Sequence, residues 1–256
     1  MTAAAARNPR ARRGTSVLGA LVLLALAMAP AAAQEVCRPV VFEGTDYVVC
    51  TVDLRRYQLR LFWKGPDGEV LGSFDRLRNT SDGSRVVFAM NGGMYSEDRS
   101  PVGLYVENGR ELRKANTANG PGNFHLKPNG VFFVSGRTAG VLETGRYLQR
   151  RPKADFATQS GPMLVIDGRI HPRISDNGPS RKIRNGVGVA DSNTAVFAIS
   201  ERPVTFGEFA RLFRDGLGCA NALFLDGTVS SLYSPALGRA DGLLPMGPIV
   251  GALPRS

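Results

Sequence analysis

Histidine is scarce in this chain of 256 residues, cysteine nearly so, and no apolar run reaches the length of a membrane-crossing helix. His125 and His171 are too few for a histidine-rich metal site, and no motif of metal-ligand spacing is present. The sequence therefore calls for no metal and no cofactor, and His125, inside the alternating stretch 123–134, is expected in a strand. None of the three cysteines, Cys37, Cys50 and Cys219, has a histidine near it in sequence, which argues against a thiol nucleophile. Acidic residues are outnumbered, with 22 Asp+Glu against 32 Lys+Arg. Such a surface favours anionic partners. Long basic blocks are missing too, apart from the small groups Arg150-Arg151-Pro152-Lys153 and Arg181-Lys182-Ile183-Arg184, so a nucleic-acid stripe is not expected.

What is present begins with a leader. Arg7, Arg10, Arg12 and Arg13 form a positive start, residues 17–28 a short apolar run, and Ala31-Ala32-Ala33 a small-residue cleavage pattern. Cleavage after Ala33 leaves a mature chain of 34–256 with no stable membrane span, destined for the periplasm or the extracellular space. The Arg12-Arg13 pair raises the twin-arginine route, but Gly14-Thr15-Ser16 lacks the hydrophobic residue that route wants. Removing four of the 32 Lys+Arg, against the 22 acids, lowers the net charge from +10 to +6. An oxidising compartment allows one disulfide. Both Cys37 with Cys50 and Cys50 with Cys219 are open as pairings.

The mature chain reads as one α+β domain on a mixed, twisted, strand-rich sheet with few helices. Short β-branched and aromatic runs closed by Gly, Asn or Asp predict strands over 47–53, 58–63, 86–90, 102–107, 131–135, 163–167, 187–190, 195–200 and 222–225. Asn108-Gly109 and Asp167-Gly168 predict tight hairpin turns. One helix of about eleven residues is well marked. Thr205 and Glu208 make a capping box, Val204 can staple onto Phe209, and Phe206, Phe209, Ala210, Phe213 and Leu217 repeat at helical spacing before Gly216 and Gly218. The next strand ends at Asp226-Gly227.

Polar, glycine-rich stretches sit at these strand ends: Ala89-Met90-Asn91-Gly92-Gly93-Met94-Tyr95, Gln159-Ser160-Gly161-Pro162, Arg184-Asn185-Gly186-Val187-Gly188-Val189 and Asn221 through Asp226-Gly227-Thr228-Val229-Ser230-Ser231. With Lys127-Pro128-Asn129-Gly130-Val131-Phe132, their order over about residues 84–250 resembles the phosphodiester glycosidase family, which includes the lysosomal enzyme that uncovers mannose 6-phosphate. Two departures stand out. Thr228 and Val229 replace a run of glycines, and Asn185-Gly186 stand where the family pattern suggests a small hydroxyl residue and alanine.

The resemblance implies a hydrolase that cleaves the sugar C1–oxygen bond of a glycosyl phosphodiester, releasing a sugar and a phosphomonoester, with envelope or extracellular polysaccharide as the plausible target. A phosphate monoester leaves readily, so such a site needs less acid help than an ordinary glycosidase and more positive charge. Arg184 is the candidate for that charge, because a guanidinium fork can hold two phosphate oxygens. Asp226 is the candidate base, nucleophile or sugar-hydroxyl acceptor, and Glu201 the candidate second carboxylate. Asn91, Gly92, Gly93, Gln159, Ser160, Gly161, Ser230 and Ser231 are candidate substrate contacts. The competing expectation is a non-catalytic protein that binds exported, phosphate-bearing polysaccharide.

Overall fold

Two Asx-Gly dipeptides turn the chain as their backbone preferences dictate. Asn108 and Gly109 take φ of 51° and 73°, Asp167 and Gly168 take 46° and 78°, and each pair closes a hairpin. The computed structural model describes residues 1–5 and 35–255. Residues 1–5 carry neither helix nor strand, and the expected leader's four arginines, apolar run and cleavage point lie outside the described residues.

Residues 35–255 carry three antiparallel sheets, with strands numbered along the chain. The first orders β1 (Cys37–Phe42), β2 (Thr45–Asp53), β13 (Thr194–Ser200), β12 (Asn185–Asp191), β14 (Asn221–Asp226), β10 (Met163–Ile166) and β11 (Arg169–Ile170). The second orders β16 (Arg239–Ala240), β15 (Leu232–Ser234), β4 (Phe88–Asn91), β17 (Ile249–Pro254) and β3 (Tyr57–Phe62). The third orders β6 (Arg110–Arg113), β5 (Tyr105–Glu107), β9 (Phe156–Ser160), β7 (Gly130–Ser135) and β8 (Thr138–Glu143). The strand-rich α+β character matches the sequence analysis. Pairing among the described strands is antiparallel throughout and divided among three sheets, a finer arrangement than one mixed sheet.

One face of each sheet contributes to a shared core. Val48, Cys50 and Phe197 meet Leu61, Phe88 and Met90 from the second sheet and Tyr105, Phe132 and Val134 from the third. The opposite face of each sheet is covered by its own short helix: α1 (Phe74–Arg78) on the second, α2 (Thr144–Arg150) on the third and α3 (Phe206–Arg211) on the first. Sheet one is therefore buried on both sides, and strand β2 shows it, with alternate residues Val48 and Cys50 in the shared core and Tyr47 and Val49 under α3.

Helix α3 begins at the expected capping box, in which Thr205 Oγ1 accepts from Glu208 N at 3.1 Å and Thr205 N donates to Glu208 Oε2 at 2.7 Å. Its last turn widens into a π-helical segment, Leu212–Gly216, closed by Leu217 N donating to Leu212 O at 2.9 Å. Gly218 then reverses the chain at φ 64° and releases it into β14. Cys37 and Cys50 face each other across β1 and β2 and form the disulfide, while Cys219 is a buried free thiol, so the Cys50–Cys219 alternative falls. No helix among the described residues is long and apolar enough to cross a membrane.

Candidate active site

Strand β14 is pinned beneath α3 by Phe224, whose ring meets Phe206 edge-on at 4.8 Å, and it ends at Asp226. There the chain makes an Asx turn. Oδ1 of Asp226 accepts from the amides of Gly227 and Thr228, the latter at 2.7 Å. Burial pushes this carboxyl above its ordinary range, and the amides of Thr228, Gly227 and Val229 pull it partly back. Only 9% of the residue is exposed, and that fraction faces a cleft of about 610 Å³.

The second oxygen of Asp226 meets an amide lattice. Asn91, at the end of β4, donates from Nδ2 to Asp226 Oδ2 at 3.4 Å, and its Oδ1 accepts from Asn185 Nδ2 and from Ser231 N, both at 2.8 Å. Asn185 opens β12 directly opposite Asp226, where a register shift between Asn185 and Gly186 brings the strand end inward. Three strands of two sheets thus converge on one carboxylate. Asn185 departs from the expected family residue, and its amide fixes the rotamer of Asn91 by donating to both its carbonyls, at 2.8 and 3.2 Å. Gly186 is equally constrained, since a Cβ there would stand 2.8 Å from Leu223 O and 3.1 Å from Phe209.

Arg184 does not stand as a free phosphate fork. It is 1% exposed, and its guanidinium lies 3.6 Å from the Phe206 ring centroid and 5.4 Å from that of Phe224. Nε donates to Val204 O at 2.9 Å and Nη2 to Ser180 O at 2.8 Å. Nη1 has no hydrogen-bond partner among the described residues and stands 3.5 Å from where a Cβ on Gly227 would be. Burial lowers its pKa to about 10, which leaves it charged at neutral pH. The expectation of two phosphate oxygens on one fork is thus corrected: two of the three nitrogens are spent on backbone carbonyls, and one positive charge remains beside the Asp226-Gly227 turn.

Glu201 is also displaced from its expected role. It is exposed, and Oε1 pairs with Nη1 of Arg239, whose Nη2 a second carboxylate, Asp241, holds at 2.9 Å. It is not part of the cleft wall. Gln159 is a structural clamp. Its Oε1 accepts from the amides of Leu104 and Asn116, and Nε2 donates to Asn116 O and Thr144 Oγ1. Ser160 Oγ donates to Leu225 O, and Ser230 Oγ reaches Ile183 O and Asp226 O, so both hydroxyls brace the strand end from behind. Ser231 contributes its backbone to Asn91. Gly93 and Gly161 are needed for close packing, since a Cβ would meet Gln159 O at 2.7 Å and Asn129 Cβ at 2.7 Å respectively, while Gly92 N donates to Pro248 O.

The cleft wall holds residues that sequence motifs did not single out for a role. Tyr95, Glu97, Arg99 and His125 line it with Asp226. Burial and the negative charge of Asp226 raise Tyr95 to about 12. His125 sits in a short 3-10 turn, Asn123–His125, not the expected strand, because the glycine-rich run before it breaks extended pairing; its Nδ1 is 3.1 Å from Ala118 O. The available signals were Gly120-Pro121-Gly122 for that turn and Asp98-Arg99-Ser100-Pro101 for the other wall.

Comparison with known proteins shows the family and the fold. Residues 84–239 match the phosphodiester glycosidase family. The Escherichia coli (strain K12) protein YigE is 39% identical over 184 residues, which is 72% of each chain. Among solved structures, the zebrafish N-acetylglucosamine-1-phosphodiester alpha-N-acetylglucosaminidase catalytic domain, auto-inhibited by its pro-peptide, superposes with a TM-score of 0.59 at 14% identity, covering 86% of this chain and 82% of that one. A putative exported protein of Burkholderia pseudomallei gives 0.55 at 14% identity, over 82% of this chain and 74% of the other. With a family match over most of the domain and a relative at this identity, the chain belongs to the phosphodiester glycosidase family.

Proposed function

We propose that the protein is a secreted hydrolase that cleaves a glycosyl phosphodiester at the sugar C1–oxygen bond. Water adds at C1, the C1–oxygen bond breaks, and the oxygen leaves with the phosphate as a phosphomonoester. The observation that carries this is Asp226: a buried carboxylate with one oxygen held by backbone amides and the other at Asn91, on the wall of a cleft.

Asp226 supplies negative charge at C1, either to a water or to the carbon itself, and Asn91 and Asn185 fix its orientation. Arg184 acts as a positioning residue. Through Phe206 and Phe224 it holds the strand end, and its positive charge lies beside Gly227. The leaving phosphomonoester needs no strong general acid, which fits a cleft in which Glu201 takes no part. Export is supported by the leader-like first 33 residues and by the Cys37–Cys50 disulfide, which suits an oxidising compartment. Envelope or extracellular polysaccharide carrying sugar-1-phosphodiesters is the substrate class that compartment offers.

The test is release of free sugar from UDP-N-acetylglucosamine and from a methyl N-acetylglucosamine phosphodiester by mature protein, with a wider set of sugars beside them. Turnover that Asp226→Asn abolishes supports the reaction and its site together. Affinity for phosphorylated polysaccharide without release of sugar from any diester would establish the binding protein instead.

A further inference from the structure

An anionic diester entering this cleft meets two carboxylates, Asp226 and Glu97, and among the described lining residues one arginine, Arg99, and no lysine. Arg99 forms no ion pair with a carboxylate among the described residues; its Nη1 donates to the Glu97 carbonyl at 3.2 Å. The rest of the fork is uncommitted.

The backbone that carries the side chain is held by three hydrogen bonds. Ser96 N donates to Ser100 O at 2.9 Å and Arg99 N to Ser96 O at 2.8 Å, closing a turn, while Trp63 Nε1 donates to Arg99 O at 3.0 Å. The guanidinium lies 5.7 Å from the centroid of the Tyr95 ring. That ring rests on Gly247, where a Cβ would stand 2.5 Å from Tyr95 Cγ, and its hydroxyl donates to Pro245 O at 3.3 Å. Tyr95 also feels the charge of Asp226. Gly247, Tyr95 and Arg99 are therefore stacked in that order, on a cleft wall that Asp226 shares.

The backbone adds an independent point. Arg99 adopts φ 64°, a left-handed conformation that glycine enters freely and that costs other residues roughly 1–2 kcal/mol. Within the turn its side chain serves only the Glu97 carbonyl. We infer that Arg99 is the phosphate-binding residue of the cleft, holding the non-bridging oxygens of the diester, and then of the departing phosphomonoester, while Asp226 acts at C1. This rests on the glycosyl phosphodiester reading.

Arg99→Gly separates the two roles, because it relaxes the backbone while removing the charge. In the mature protein this variant is expected to match or exceed the parent in Tm. It should weaken binding of inorganic phosphate at least tenfold and lower kcat/KM for a glycosyl phosphodiester by about 100-fold, with Arg99→Lys between the two. Phosphate binding and diester kcat/KM within twofold of the parent would overturn the assignment while leaving the reaction intact. Phosphate binding lost in Arg99→Gly, in a protein whose parent hydrolyses no diester, would keep the anion site and overturn the reaction. A parent that binds no phosphate and whose diester kinetics ignore Arg99 would overturn the assignment as well.

Discussion

Asn91 donates from Nδ2 to Oδ2 of Asp226 across 3.4 Å, although the two residues are 135 positions apart and end strands of different sheets. A contact of this kind exists only once the shared core has assembled, so the carboxylate's orientation reports the packing of sheets one and two. The remaining contacts of Asn91, to Asn185 and Ser231, leave its amide one orientation in which all partners are served.

Asp226 carries a cost to stability. Its carboxyl is raised by burial in the folded protein, so the folded state binds the proton more tightly than the unfolded chain does, and ionisation works against folding. That penalty grows as pH rises from the unfolded carboxyl range, about 3.9, through the folded pKa. Asp226→Asn is expected to raise Tm at pH 7, with the gain closing as pH falls below that range. Thermal unfolding from pH 3 to 8 measures it, and a variant less stable than the parent at pH 7 would show that the amides of Gly227 and Thr228 outweigh the burial.

Arg184 supports structure first. Arg184→Met keeps much of the volume between Phe206 and Phe224 but strands Val204 O and Ser180 O, and a loss of about 3 kcal/mol is expected from urea unfolding. Unchanged stability would mean that the loop around Ser180 moves freely to satisfy its own carbonyl.

Gln159→Ala removes four hydrogen bonds that tie Leu104, Asn116 and Thr144 together, and about 3 kcal/mol should go with them. Because Gln159 is behind the cleft wall, the KM of folded variant protein should stay near that of the parent. A large rise in KM at undiminished stability would return Gln159 to the substrate.

Cys219 is buried and its thiol is pushed up to about 12, so thiol reagents at pH 8 should leave the folded protein unlabelled. Unfolding without reductant should expose one thiol, and unfolding with reductant three. Labelling counts by mass spectrometry decide it: two thiols in the unreduced, unfolded chain would mean that one cysteine is blocked by something other than this disulfide, and three would show the disulfide unformed.

Local signals in the sequence were legible and tertiary ones were not. The Thr205–Glu208 capping box, the two Asx-Gly turns and the strand ending at Asp226 depend on residues a few positions apart, and all are present. Strand β6, Arg110–Arg113, is fully exposed and has no apolar alternation to reveal it, while β17 carries a glycine and a proline yet lies centrally between β4 and β3. Arg184 looked like a ligand-binding arginine because nothing in the sequence discloses that Phe206 and Phe224 close around it. Asn185 looked like a departure from a pattern, and its value appears only when β12 and β4 end side by side. Arg99 and Tyr95 lie on a loop wall, where position depends on Trp63 and Gly247, residues remote in sequence.

The most direct measurement is sugar release from a glycosyl phosphodiester panel by the mature protein and by Asp226→Asn, with folding of both checked by Tm. The account predicts turnover in the parent and a loss of at least about 1,000-fold in kcat for a variant that is folded and no less stable at pH 7. Turnover surviving in folded Asp226→Asn would contradict the central claim that this carboxylate performs the chemistry.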